Sequence, residues 1–321
     1  MHAIVVTEHG GPDVLSWRTE PDPVTGPGRV VVDTSAAGVN FIDTYLRRGL
    51  YPSTPPYIPG TEGAGVVVAL GAGVDDLAVG DRVAWCDAPA SYAERVVVDA
   101  ARAVPLPEAI PDDTAATMLL QGLTADYLLD GAAHPRRGDT VLVHAGAGGV
   151  GLFLTQLAVA AGMTVISTVS SDEKAALSRD AGAAHVLRYG PDLAARVRDL
   201  TGGAGVAVAY DGVGKDTFEA SLAATAVRGT VVLFGAASGP VPPFDLQRLN
   251  GAGSLSVTRP TLAHFIADPA EFALRTGRLV TAVADGTVHI RVGARYPLCD
   301  AAQAHRDLEA RKTTGSIALV T

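Results

Sequence analysis

Val141-Leu-Val-His-Ala-Gly-Ala-Gly-Gly-Val-Gly151 is an apolar run that ends in glycines and passes straight into the apolar stretch Leu152-Phe-Leu-Thr-Gln-Leu-Ala158. Gly146, Gly148 and Gly151 satisfy the spacing G-x-G-x-x-G. Alone, that spacing is a weak signal. Here it closes a predicted strand, opens a predicted helix and begins an alternation of the two, which is the context the motif requires. The chemistry asks for these residues. The chain must turn sharply out of the strand, and a side chain at the turn would hold a pyrophosphate away. The backbone N–H groups at the helix start then face the phosphate charge. The stretch is read as a dinucleotide-binding turn, against the plainer alternative of a glycine-rich turn with no ligand.

Downstream the alternation continues. Strands are predicted at Thr140–His144, Thr164–Val169, His185–Leu187, Val206–Tyr210 and Gly229–Phe234, with helices near Gly149–Ala161, Asp172–Ala181, Asp192–Thr201 and Lys215–Thr225. Continuous apolar strands between helices argue a parallel sheet covered on both faces. Ser254–Thr258 is a further candidate strand. Upstream of Asp112 the chain reads as β: Ala3–Thr7, Arg29–Thr34, Gly65–Ala69, Arg82–Trp85 and Glu94–Val98 are β-branched runs punctuated by glycine, proline and aspartate. Tyr51–Gly60 carries Pro52, Pro55, Pro56 and Pro59 and is expected as a stiff surface loop. Asp112–Asp130 has helical spacing, and the last segment holds a predicted helix (Asp300–Ala310) and strand (Ser316–Val320). The fold class is α/β. A length of 321 residues suits two domains, since single cores stop growing near ~250–300 residues.

Hydrophobic residues make up 48% and charged residues 18%, a globular composition. The net charge of −9 and the lack of any Lys/Arg run exclude a basic footprint for nucleic acid or an anionic membrane. Two cysteines, Cys86 and Cys299, exclude a disulfide framework and a cysteine-rich zinc site, although the two could pair with each other. The N-terminus lacks the basic and apolar regions of a signal peptide. Val141–Ile166 is the most apolar region, but its glycines, His144 and Gln156 fit a buried strand and helix better than a membrane span. A soluble protein of a reducing compartment, the cytoplasm, is expected.

An NAD site usually carries an acid ~20 residues past the glycines, where it binds the ribose 2′-hydroxyl. Here the second strand ends Thr168-Val-Ser-Ser171, with no acid at its tip. Small hydroxyl residues leave room for a 2′-phosphate, and Lys174 lies one helical turn on as a point charge. Asp172 and Glu173 complicate the reading. Ser170-x-x-Glu173 matches a capping box, and helix-dipole stabilisation is favoured for both acids over ribose binding. NADPH is the preferred cofactor.

Several further segments, in order, carry a family resemblance: Gly38-Val-Asn-Phe-Ile-Asp-Thr-Tyr45, Gly49-Leu-Tyr-Pro52, Gly60-Thr-Glu-Gly-Ala-Gly65, Gly122-Leu-Thr124, the Gly146–Gly151 turn, Tyr210-Asp-Gly-Val-Gly214, Val257-Thr-Arg-Pro260 and Gly315-Ser316. Together they resemble the zinc-free quinone oxidoreductases, the zeta-crystallin-like group of the medium-chain dehydrogenase/reductase superfamily, over essentially the whole chain. The resemblance implies a GroES-like β-rich catalytic domain (1–122), a Rossmann domain holding NADPH (123–260) and a C-terminal return to the catalytic domain (261–321), with the nicotinamide in the cleft. It implies no metal: zinc-dependent relatives place a cysteine where this chain has Asn40 and Gly-His-Glu where it has Gly60-Thr61-Glu62. Glu62 is then read as structural.

By matching motif position, Asn40, Asp43 and Tyr45 are expected at the nicotinamide end, with ordinary loop chemistry as the competing reading. Thr124 is expected to touch the cofactor. Gly148, Gly149, Val150 and Gly151 should hold the pyrophosphate, and Ser170, Lys174 and Tyr189 should surround the 2′-phosphate. Val213, Phe234, Gly235 and Ala236 follow strand ends, where ligands bind in open α/β sheets. Arg259 matches a cofactor-contacting position, and Arg311 is a further contact or a solvated helix end. Asn40, Tyr45 and Tyr51 are the catalytic candidates. Tyr51 either lines the acceptor pocket, as a tyrosine linked to proton transfer does in related enoyl reductases, or packs on Pro52.

The implied reaction is hydride transfer from NADPH to an electron-poor small molecule, a quinone above all, in a homodimer. Reduction of an enone or enoyl thioester is the nearest alternative. A non-catalytic NADPH-binding role is the alternative from another class.

Overall fold

The strand Thr140–Val143 is buried after its first residue, and Thr164–Val169 and Val206–Asp211 are nearly as fully buried. Strands covered on both faces belong in a parallel sheet flanked by helices, and the computed structural model, which describes residues 1–321, shows that sheet. Its order is His185–Arg188, Thr164–Val169, Thr140–Val143, Val206–Asp211, Thr225–Leu233, Ser256–Thr258, and every pairing is parallel. The order reverses between Thr140–Val143 and Val206–Asp211, which is where ligands settle at the carboxyl ends of such sheets. Leu142, Ile166, Ala209 and Val231 fill one core with Leu193, Val197, Phe218 and Leu222 from the helices Leu193–Leu200 and Phe218–Ala224.

This unit spans Gly122–Phe272. The other unit joins Met1–Gln121 to Ala273–Thr321. Its main sheet runs Val292–Pro297, Ser316–Val320, Arg29–Gly38, Glu62–Leu70, Arg82–Cys86, Val104–Pro105, with Arg95–Asp99 also on Arg29–Gly38. The C-terminal strand lies antiparallel to Arg29–Gly38, Ala318 opposite Gly38, so the end of the chain completes a sheet begun near its start. One core gathers Ile4, Val6, Tyr92, Leu298, Ile317 and Leu319, and another gathers valines of the central strands around Trp85.

Several expectations need correction. Asp112–Asp130 is not one helix: Asp112–Ala115 and Leu119–Tyr127 are separate, and the second runs on into a wider turn at Leu128–Ala132. The helix near Lys215–Thr225 begins only at Phe218, because the N–H groups of Lys215 and Asp216 donate to the Gly239 carbonyl and Ser238 hydroxyl and the Thr217 hydroxyl donates to Asp211. Among the elements that went unread are the strands Leu15–Thr19 and Val292–Pro297 and the helices Phe41–Arg47 and Pro269–Ala284. Cys86 is buried, Cys299 is exposed, and both are free thiols.

Candidate active site

The glycine turn shows what each of its residues is for. Ala145 follows the first strand in the left-handed region, φ 53°, and its N–H donates to the Tyr189 hydroxyl at 2.9 Å. A Cβ on Gly146 would lie 1.8 Å from Ser167 Oγ, and one on Gly151 would lie 2.3 Å from the Ala145 carbonyl oxygen. Both glycines are demanded by the protein's own packing. Gly148 is different. Its φ of −81° is open to any residue, and a Cβ there would meet only the Ala145 oxygen at 3.2 Å. It is the N-cap of Gly149–Ala160 yet provides no side-chain cap. The N–H groups of Gly149, Val150 and Gly151 therefore have no partner in the first turn of a twelve-residue helix. A missing side chain that the backbone does not demand and that packing presses on through one contact only, at a helix N-terminus, fits a pyrophosphate.

At the next strand end, Ser171 rather than Ser170 is the N-cap of Asp172–Asp180: its hydroxyl accepts from the Lys174 N–H at 3.2 Å. This corrects the Ser170–Glu173 capping box, which started one residue early. Tyr189 stacks on His144, ring centroids 6.0 Å apart. Tyr189 thus lies against the glycine turn, while Ser170 follows the neighbouring strand Thr164–Val169 and Lys174 lies in the first turn of the helix after it.

The loops after Val206–Asp211 and Thr225–Leu233 are stitched together. Ser238 N–H donates to the Val213 carbonyl at 2.8 Å, and Ala237 N–H donates to that of Gly212 at 3.2 Å. Val213, Phe234, Gly235 and Ala236 accordingly cluster. Beneath them lies a buried ladder that sequence reasoning missed. Asp211 accepts from the N–H groups of Val213 and Gly214 and from the hydroxyls of Thr217 and Ser221. His144 bridges Ser221 at 3.0 Å and Thr168 at 2.8 Å. Burial holds the His144 imidazole below its ordinary pKa, against the pull of Asp211. The signal was present as Tyr210-Asp-Gly-Val-Gly214, but only the fold places His144 beside it. Arg259 lies near Tyr127, whose ring stacks on Phe265 at 4.4 Å, in the helix that carries the buried Thr124. Burial raises the Tyr127 pKa and Arg259 opposes that rise.

In the other unit, the turn into the helix Phe41–Arg47 is built from two polar networks. Asn40 Nδ2 donates to Glu62 Oε1 at 2.5 Å, and Asn40 Oδ1 accepts from Gln121 at 3.0 Å. The Leu120 N–H donates to Glu62 Oε2, and Ser316 donates to Gln121 Oε1. Burial pushes the Glu62 pKa up to about 8, while the donors Asn40 and Leu120 pull it down. No group of three or more His, Cys, Asp or Glu side chains is placed to hold a metal ion.

The second network has a direction. Arg47 can only donate, so its bond to His305 Nδ1 at 2.8 Å leaves the imidazole proton on Nε2. Nε2 then donates to Tyr92, and the Tyr92 hydroxyl donates to Asp43 Oδ2 at 2.9 Å, beside the Asn40 N–H. Asp43 is wholly buried and its Oδ1 has no hydrogen-bond partner. Burial raises its pKa to about 6, against the two donors. His305 is held down to about 3 by burial and by Arg47. The Tyr45 ring meets Phe41 at 6.2 Å and, edge to face, Tyr51 at 5.3 Å. The structure therefore brings Asn40, Asp43, Tyr45 and Tyr51 to one turn of chain. Arg311 lies past the helix Ala301–Glu309 in the left-handed region, φ 59°.

Comparison with known proteins identifies the family. Residues 26–108 match the family model of the alcohol dehydrogenase GroES-like domain, and residues 149–274 match that of the zinc-binding dehydrogenases. A quinone oxidoreductase of Pseudomonas aeruginosa is 45% identical, with 97% of each chain covered. A 2-haloacrylate reductase of Burkholderia is 39% identical over 99% of this chain and 98% of the relative. Among solved structures, a mycobacterial protein complexed with NADPH superposes with a TM-score of 0.98 at 53% identity, and Escherichia coli quinone oxidoreductase complexed with NADPH superposes with 0.97 at 40%, each over 100% of both chains. The chain is an oxidoreductase that belongs to the quinone oxidoreductase family of the medium-chain dehydrogenase/reductase superfamily.

Proposed function

We propose that this protein reduces quinones with NADPH and needs no zinc to do so. The observation that carries the reading is Gly148, an uncapped helix N-terminus where a side chain would meet only a tight contact with one backbone oxygen, leaving the site open for a ligand. When bound, NADPH supplies a hydride, and the protein supplies binding, orientation and electrostatics. Gly148, Gly149, Val150 and Gly151 hold the pyrophosphate. Ser170, Lys174 and Tyr189 surround the 2′-phosphate. Thr124, Val213, Phe234, Gly235, Ala236, Arg259 and Arg311 add cofactor contacts. Asn40, Asp43 and Tyr45 take the nicotinamide end.

Asn40 and Thr61 stand where a zinc-dependent relative carries a cysteine and a histidine, and the Asn40 amide is taken up by Glu62, so the acceptor is activated by its own electron deficiency. A quinone carbonyl has that property, and its oxygen takes a proton from water. Alignment of ring and acceptor is then largely a matter of proximity. A homodimer belongs to the same reading: the strand Ser256–Thr258 ends its sheet and leaves a backbone edge to be extended.

The test is oxidation of NADPH and NADH at 340 nm with 1,4-benzoquinone after chelator treatment. NADPH-preferring turnover that survives chelation supports the reading. Loss of activity on chelation contradicts the zinc-free part, and equal use of NADH contradicts the cofactor assignment.

A second reading, reduction of an activated carbon–carbon double bond, is favoured by one observation. Tyr51 is partly buried against Tyr45, so a phenol is available to deliver a proton to carbon. A Tyr51→Phe variant that keeps full enone turnover would remove that reading.

A further inference from the structure

Arg188 ends the strand His185–Arg188, and its partner in the parallel register is Val169, the last residue of Thr164–Val169. Its guanidinium reaches the two groups that define the tip of that strand. Nη2 donates to the Ser170 carbonyl oxygen, and Nη1 donates to Asp172 Oδ1 at 2.9 Å. Asp172 opens the next helix and is the acid closest to the place where a ribose 2′-hydroxyl looks for a carboxylate. The neighbouring hydroxyl of Ser171 is occupied as the helix cap. Nothing in the sequence pattern marks Arg188, because its register position exists only in the folded sheet.

We propose that Arg188 is a specificity-determining residue: by holding the Asp172 carboxylate it withdraws that acid from a ribose 2′-hydroxyl and cancels its charge toward a 2′-phosphate, so that NADPH is taken in preference to NADH. The inference rests on the dinucleotide reading above and deepens it. A 2′-phosphate carries up to two negative charges, and an uncancelled carboxylate several ångströms away opposes it by about tenfold in affinity even in a high dielectric. A surface ion pair is itself weak. Masking therefore adds little to folding while acting on the phosphate, and loss of the pair should spare the fold.

The experiment is fluorescence titration of NADPH and NADH against the wild type, Arg188→Ala, and the double variant Arg188→Ala/Asp172→Asn, with thermal melts to confirm folding. Arg188→Ala should shrink the NADPH preference about tenfold, and adding Asp172→Asn should restore it. An unchanged preference in Arg188→Ala overturns the inference alone. A preference that collapses and is not restored in the double variant assigns Arg188 to direct phosphate contact and overturns masking. A wild type that binds neither dinucleotide overturns the dinucleotide reading and this inference with it.

Discussion

Gly148 and Gly151 lie three residues apart and obey different constraints. A methyl group on Gly151 collides with the Ala145 carbonyl, whereas one on Gly148 makes only a tight contact with it. Gly151→Ala should therefore destabilise the fold by about 1–3 kcal/mol, the usual cost of forcing atoms into a packed site. Gly148→Ala should leave the urea midpoint nearly unchanged while weakening NADPH binding at least tenfold, read by fluorescence titration. Equal effects of the two substitutions on stability would contradict the distinction. Arg311 offers a converse case. It adopts φ 59° just past a helix end, a conformation that costs a non-glycine residue roughly 1–2 kcal/mol. Arg311→Gly should raise unfolding stability by up to about 1 kcal/mol. The proposed cofactor contact predicts weaker NADPH binding in the same variant, and unchanged binding would leave it a helix end only.

The helix Phe41–Arg47 is only seven residues long and is held less by its own propensity than by the donors aimed at Asp43. Tyr92→Phe removes the hydroxyl between His305 and Asp43, leaving two buried groups poorly satisfied. A loss of about 1–3 kcal/mol in urea unfolding is expected, and a loss below a few tenths would mean that the network contributes nothing. This element also shows where sequence reading stops. Asn40 and Asp43 were legible as turn residues and as family positions. Tyr92 and His305 were not, because they lie 49 and 213 residues away from their partners and only the sheet pairing joins them. The parallel strands were legible because burial on both faces makes them uniformly apolar. Pro269–Ala284 was missed although Asp268 caps it and Pro269 opens it, both readable start signals. Gly277 and two threonines blur its interior. Ser171 was displaced by one residue because both serines fit the cap and only the backbone decides between them.

Over the whole molecule, the buried acids set an unusual dependence on pH. Glu62 is raised in the folded state to about 8 from an ordinary value of 4.5. A raised acid favours the folded state fully below its unfolded pKa, and that contribution is lost as pH rises through the folded value. Asp43 has finished titrating near 6, and His305 and His144, both lowered, are neutral in both states above their ordinary 6.5. Between pH 6.5 and 8, then, Glu62 dominates among these groups, and unfolding stability should fall as pH rises. Glu62→Gln should flatten that slope in urea melts at stepped pH, and an unaltered slope would place the charge elsewhere. The same carboxyl holds Asn40, the residue that stands in the place of a zinc-binding cysteine under the proposed reading, so fold, electrostatics and proposed chemistry meet at one contact. The most direct measurement is anaerobic single turnover in a stopped flow, mixing chelated protein loaded with NADPH against 1,4-benzoquinone. One hydroquinone should form for each NADPH oxidised, at a rate slowed by deuterium at the transferred position of the nicotinamide. NADPH that binds and stays reduced would contradict it.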